Sequence, residues 1–256
     1  RYEERISRML ERDPEDVAPI RVKPLPRKPL RSFSPPDGGD LRSPRWTPDG
    51  KSLLYSHRQP DRDGFLHYDL FFWTPSTGSH ARITHLADVR DADPLPDGRT
   101  AVAIRSRDGL SHLVSVDLTT GRVTALTEPS LDQVYSHPRV NRDGSRIAYI
   151  VHRKGRWQVV IDDFRGGRLA GSESACSPLA GSVSAPEWSP VDQETLFATV
   201  AAGGFAEIQR LRRCSWQPIT RSAGGAFDPA PGPDGRLFFM SLQPDGFVVR
   251  QIDATG

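Results

Sequence analysis

The chain has 256 residues, with 34 basic and 32 acidic side chains and a formal charge of +2. So small a difference between large numbers gives neither a basic stripe for nucleic acid nor a cationic face for a membrane surface. Apolar residues make up 36%, and no apolar run is long enough for a bilayer-spanning helix.

Residues 1–42 differ from the rest. Tyr2, Ile6, Met9 and Leu10 share one helical face. Glu3 and Glu4 near the start and Arg12 near the end suit a helix dipole. Seven prolines from Pro14 to Pro36 then interrupt regular structure. One reading is the end of a preceding domain plus an extended linker. The other is an arm that packs on the following domain, with Ile20-Arg21-Val22 as its single plausible strand.

From residue 43 the chain repeats itself. Five segments carry a proline-rich turn with a marker aspartate: Asp49, Asp97, Asp143, Asp192 and Asp234, between 42 and 49 residues apart. A period of that size means one supersecondary unit stacked repeatedly. In the first unit, Ser43 to Thr47 reads as a strand and Pro48-Asp49-Gly50 as a tight turn. Ser52 to Ser56 is a second strand, Arg58 to Gly64 a polar loop, and His67 to Trp73 an aromatic-rich third strand. Ala81 to Thr84 is the fourth. Four antiparallel strands in about 45 residues match a propeller blade. The plan recurs with strands at 100–104, 112–117 and 123–127, then 146–151 and 157–161, then 195–200 and 206–211. The fifth unit offers 237–240 and 248–252, and no outer strand. The expected blades span 43–86, 87–130, 131–175, 176–222 and 223–256, after an arm over 1–42.

The wording Pro44-Arg45-Trp46-Thr47-Pro48-Asp49-Gly50 through Tyr55, with Asp69 to Gly78 and Arg82-Ile83-Thr84, resembles the TolB-type, WD-repeat-like propeller family. The resemblance covers roughly 43–256. It implies an all-β propeller and a periplasmic or extracellular location. It does not fix a function, because such repeats occur in translocation proteins and in peptidase-associated propellers alike. The missing outer strand predicts an open arc, completed by sequence beyond Gly256.

Residues that could carry chemistry are few. Cys176 and Cys214 lack metal spacing. Their positions, at opposite ends of their strands, predict free thiols, since one strand length far exceeds the reach of a disulfide. The seven histidines form no HExxH pattern, and no Gly-x-Ser-x-Gly elbow occurs. No catalytic residue, metal or cofactor is implied. Trp46 and Trp188 stand in the repeat motif, where burial between sheets is expected.

The loops between second and third strands are richer as a group. They hold Arg58, Asp61, Arg62 and Asp63, then Arg105, Arg107 and Asp108, then His152, Arg153 and Lys154. In a propeller these loops share a face with the blade-to-blade connections, including Asp88 to Asp91 and Asp132 to His137. A mixed, arginine-rich face suits a protein or peptide partner. The expected role is a non-catalytic binding scaffold, without nucleic acid or membrane insertion. The alternatives are an accessory propeller covalently linked to a peptidase domain, and a carbohydrate- or small-ligand-binding propeller.

Overall fold

Each marker aspartate closes a turn with its own side chain. Asp97 Oδ1 accepts the N–H groups of Arg99 and Thr100 at 2.8 and 2.9 Å. Asp192 Oδ1 does the same for Glu194 and Thr195 at 2.8 and 2.7 Å. Asp49, Asp143 and Asp234 accept from Lys51, Ser145 and Arg236. A carboxylate that replaces a backbone acceptor in this way holds the chain in a tight reversal. The repeated aspartate is therefore a turn-forming residue, and each one lies between the first two strands of its sheet.

The computed structural model describes residues 40–222, 224–244 and 246–254. The expected N-terminal helix and the Ile20-Arg21-Val22 strand lie outside these residues. The described chain is all β, in five antiparallel sheets. Blade 1 has β1 (Leu41–Trp46), β2 (Leu53–Pro60), β3 (Leu66–Thr74) and β4 (Ser79–Arg82). Blade 2 has β5 (Val89–Pro94), β6 (Thr100–Arg107), β7 (Leu110–Asp117) and β8 (Val123–Ala125). Blade 3 has β9 (Gln133–Val140), β10 (Arg146–Arg153), β11 (Arg156–Arg165), β12 (Arg168–Leu169) and β13 (Ser174–Cys176). Blade 4 has β14 (Ser182–Trp188), β15 (Thr195–Ala202), β16 (Phe205–Arg212) and β17 (Ser215–Pro218). Blade 5 has β18 (Ala226–Pro231), β19 (Arg236–Gln243) and β20 (Gly246–Asp253), with no outer strand among the described residues.

Every first strand carries a β-bulge at one equivalent point. The bulged residues Ser43, Asp91, His137, Ala185 and Asp228 have φ of 48°, 54°, 50°, 47° and 51°. In four of the five a proline follows (Pro44, Pro138, Pro186, Pro229). Proline has no N–H for the ladder, so it is at home where pairing is interrupted. The repeated proline thus marks a bulge that re-aims the strand.

The second and third strands run longer than the sequence suggests. Asp108-Gly109 and Lys154-Gly155 turn the chain in two residues, with φ of 53° and 77°, and of 50° and 73°. Positive φ at both central positions matches the strand twist and carries pairing to the hairpin tip. Arg105, Arg107, His152 and Arg153 therefore lie on strands, where loops were expected.

By its contacts the chain divides into two units, one with residues 40–155 and Ile161–Glu173, the other with Arg156–Val160 and the described residues from Ser174. In the first, Leu54 and Leu70 of blade 1 pack on Val89, Ala101, Ala103 and Val114 of blade 2, all at 0% exposure. In the second, Phe197 and Ile208 of blade 4 pack on Ala226, Leu237 and Phe239 of blade 5.

Two expectations fail. Cys176 and Cys214 form a disulfide with Cα atoms 5.1 Å apart, within the usual range. Free thiols followed from assuming one outer strand in blade 3. That edge is built in two pieces, β12 and β13, both on β11, and the second piece brings Cys176 to the tight Arg213-Cys214 turn. Trp188 is 8% exposed, as expected, but Trp46 is 58% exposed. Trp46 stands over a cavity of about 500 Å³ lined by Pro44, Pro48, Pro94, Pro96 and Arg142.

Candidate functional site

Strand register sets which residues share an end. Leu41 pairs with His57, Val89 with Arg105, and Gln133 with Arg153. In the unit holding blades 1 and 2, the starts of the first strands thus meet the ends of the second strands. The hairpin tips and the inter-blade connections lie together there, opposite the marker turns.

Blade 1 builds a charged network at this end. The Asp61 carboxylate accepts the N–H groups of Asp63 and Phe65, both at 2.9 Å, which orders its loop. Its other oxygen is 3.2 Å from His67 Nε2, and His67 Nδ1 is 2.7 Å from Asp88 Oδ1. Arg107 Nε approaches the second Asp88 oxygen at 3.9 Å. The Asp88 hydrogen bond raises the His67 pKa against the opposing cost of burial, with Asp61 adding to the rise. Burial alone would raise Asp61, yet the Phe65 and Asp63 N–H groups and His67 together hold it below the usual carboxylate value. His67 is therefore a clasp between the β2–β3 loop and the chain entering blade 2, and both carboxylates favour its protonated form. The Arg58 guanidinium lies 5.7 Å over the Tyr68 ring, whose hydroxyl donates to Asp40 at 2.7 Å.

Blade 2 departs from a pattern in its neighbours. In blade 1, Asp69 is 1% exposed and accepts from Thr84 Oγ1, Arg82 Nη2 and the N–H groups of Leu86 and Ala87. In blade 4, Glu207 accepts from Thr220 Oγ1 and the Ser222 N–H. The threonine in turn accepts the next N–H of the third strand, Leu70 or Ile208. Thr127 and Leu113 repeat this last bond in blade 2, but His112 stands where the carboxylate should be. Burial first, then the Arg105 charge, lowers its pKa, so His112 is neutral near pH 7.

Among the described residues, Arg105 Nε, Ser106 Oγ and His112 Nδ1 are buried without a hydrogen-bond partner. In blade 3, Arg153 pairs with Glu173, and His137 is the bulge residue of β9. Arg62, Asp63, Asp108 and Lys154 are exposed at hairpin tips. No group of three metal-ligating side chains occurs among the described residues. The sequence reading placed these loops at one end, and it singled out neither His67 nor the apolar residues there. Phe65 (68% exposed), Leu66 (51%), Leu86 (48%), Leu131 (88%) and Val134 (47%) all lie at this end. Their signal was in the sequence, as hydrophobic residues inside polar connections.

No family model matches the chain, and no curated relative matches it in sequence. Solved structures do match. A TolB-type protein of Agrobacterium tumefaciens is similar at 23% identity and a TM-score of 0.69, over 84% of this chain and 78% of that one. TolB from Acinetobacter baumannii follows at 18% identity and a TM-score of 0.68, over 86% of this chain and 53% of that one. The fold is a TolB-like β-propeller. The same propeller fold extends to the propeller domain of the Trilobed protease from Pyrococcus furiosus, at 12% identity and a TM-score of 0.56, over 85% of this chain and 69% of that one. The propeller's described part contains no helix long and apolar enough to cross a membrane.

Proposed function

We propose that this TolB-like propeller is a binding scaffold for a protein or peptide, and that it binds at the end formed by the hairpin tips and connections of blades 1 to 3. One observation carries this reading. Five large apolar side chains, Phe65, Leu66, Leu86, Leu131 and Val134, are exposed at that end. They stand among Arg62, Asp63, Arg107, Asp108 and Lys154, also exposed. Apolar anchors within a mixed polar rim are the composition of a protein interface. The Cys176–Cys214 disulfide suits an oxidising compartment, and hence an exported protein.

A displayed random-peptide library tests the reading. Peptides selected on the propeller should lose at least about tenfold in affinity, about 1.4 kcal/mol, on a Phe65→Ser/Leu131→Ser variant that melts like the parent. Selected peptides indifferent to that variant would place binding elsewhere. A second reading is favoured by the similarity to protease and peptidase propellers. There the same end would dock substrate for a linked catalytic domain. It predicts that selected peptides are cleaved by a peptidase domain joined to this propeller in the full-length protein.

A further inference from the structure

Among the described residues, two buried polar atoms without a hydrogen-bond partner, Arg105 Nε and His112 Nδ1, lie side by side in blade 2. Arg105 and His112 are cross-strand partners on β6 and β7, so their side chains leave the sheet on the same face. That face carries Ala103 and Val114, both fully buried against blade 1. The two polar residues continue this apolar layer toward the hairpin tip. Beyond its ladder pairing, Arg105 has a buried side-chain Nε with no hydrogen-bond partner among the described residues, as does His112 at Nδ1. Ser106 is paired with Ser111 and lies on the other face.

A buried donor without an acceptor costs about 1–3 kcal/mol, and more when charged. Blades 1 and 4 avoid that cost by placing a carboxylate, Asp69 or Glu207, at the His112 position. Blade 2 also lacks one of the donors such a carboxylate serves. Two residues beyond the latch threonine, blade 1 has the N–H of Leu86, while blade 2 has Pro129. The turn therefore closes without a buried carboxylate: Glu128, exposed beside Pro129, acts on His112 through its charge, and Arg105 Nε keeps no acceptor among the described residues.

We propose that Arg105 and His112 receive a carboxylate from the bound peptide, an acidic side chain or a C-terminus. The ligand supplies in blade 2 the acceptor that Asp69 and Glu207 supply in blades 1 and 4. Charge-assisted bonds to a part-buried guanidinium are strong and directional. This inference rests on the peptide-binding reading above and adds the chemistry of one pocket.

The test uses the full chain and two acetylated, amidated peptides, Glu-Gly-Glu and Gln-Gly-Gln, titrated by calorimetry, with sodium phosphate as a third probe. The Glu peptide should bind at least about tenfold tighter than the Gln peptide. Arg105→Gln should remove that preference. His112→Asp should remove it too, while melting no lower than the parent, because the new carboxylate pairs with Arg105 internally. Equal binding of the two peptides, or a preference that survives both variants, overturns the carboxylate site. Tighter binding of phosphate with the same Arg105 dependence overturns the peptide source. No binding of the Glu peptide up to millimolar concentration also overturns the site. All four outcomes leave the broader reading to the library selection, which does not depend on acidic residues.

Discussion

Single residues here divide into those that hold the fold and those exposed for use. Asp69 belongs to the first group. It is 1% exposed and receives four donors. Asp69→Ala would leave the Arg82 guanidinium and two N–H groups without their acceptor. Loss of one partner from a buried charged network costs about 3–5 kcal/mol, so the variant should melt well below the parent. The two repeat tryptophans should separate in the same assay. Trp188→Ala should cost about 3–5 kcal/mol, and Trp46→Ala far less, because most of its indole is already in water. Equal losses would mean that Trp46 is packed after all. His67 gives a pH signature. Its folded pKa is raised by Asp88 and Asp61, so its contribution is complete below the unfolded value of about 6.5. That contribution is lost as pH rises through the higher folded value. The stability advantage of the parent over His67→Gln should therefore be largest in mild acid and fade toward alkaline pH. An advantage independent of pH would remove charge from the account of this clasp.

At the scale of elements, the sequence revealed strands and turns well where one residue type performs one task. Pro48-Asp49-Gly50 and Asp97-Gly98 could be read directly, because an aspartate that accepts its own turn's N–H groups needs no distant partner. Asp108-Gly109 was legible as a turn but not as so short a one, and Arg105 and Arg107 were assigned to a loop for that reason. Blade 3 was harder. Its outer edge is split between β12 and β13, and no local signal announces a split edge. The disulfide was lost with it. Cys176–Cys214 closes a separation of 38 residues, which corresponds to about 4 kcal/mol in the chain-entropy description. Reduction, or Cys176→Ser with Cys214→Ser, should lower the melting temperature measurably. An unchanged melt on complete reduction would show that the bond adds nothing to the packing of β13 and the β16–β17 turn.

At the largest scale, the described residues fold as a TolB-like propeller, and the proposed function rests on one of its ends. The fold was legible because five variants of one motif outvote local ambiguity. The site was legible only in part. Its arginines and aspartates could be assembled from topology, whereas the setting of His67 depends on Asp88, 21 residues away, and that of His112 on its cross-strand neighbour Arg105. The exposed apolar residues carry the proposal for that end, and their exposure is a tertiary fact. Amide hydrogen exchange, with and without a selected peptide, tests this most directly. The account predicts slowed exchange at 61–66, 86–91 and 131–137, with the marker turns at 47–50, 94–98 and 141–144 unchanged. Protection confined to those marker turns, around the cavity under Trp46, would contradict it.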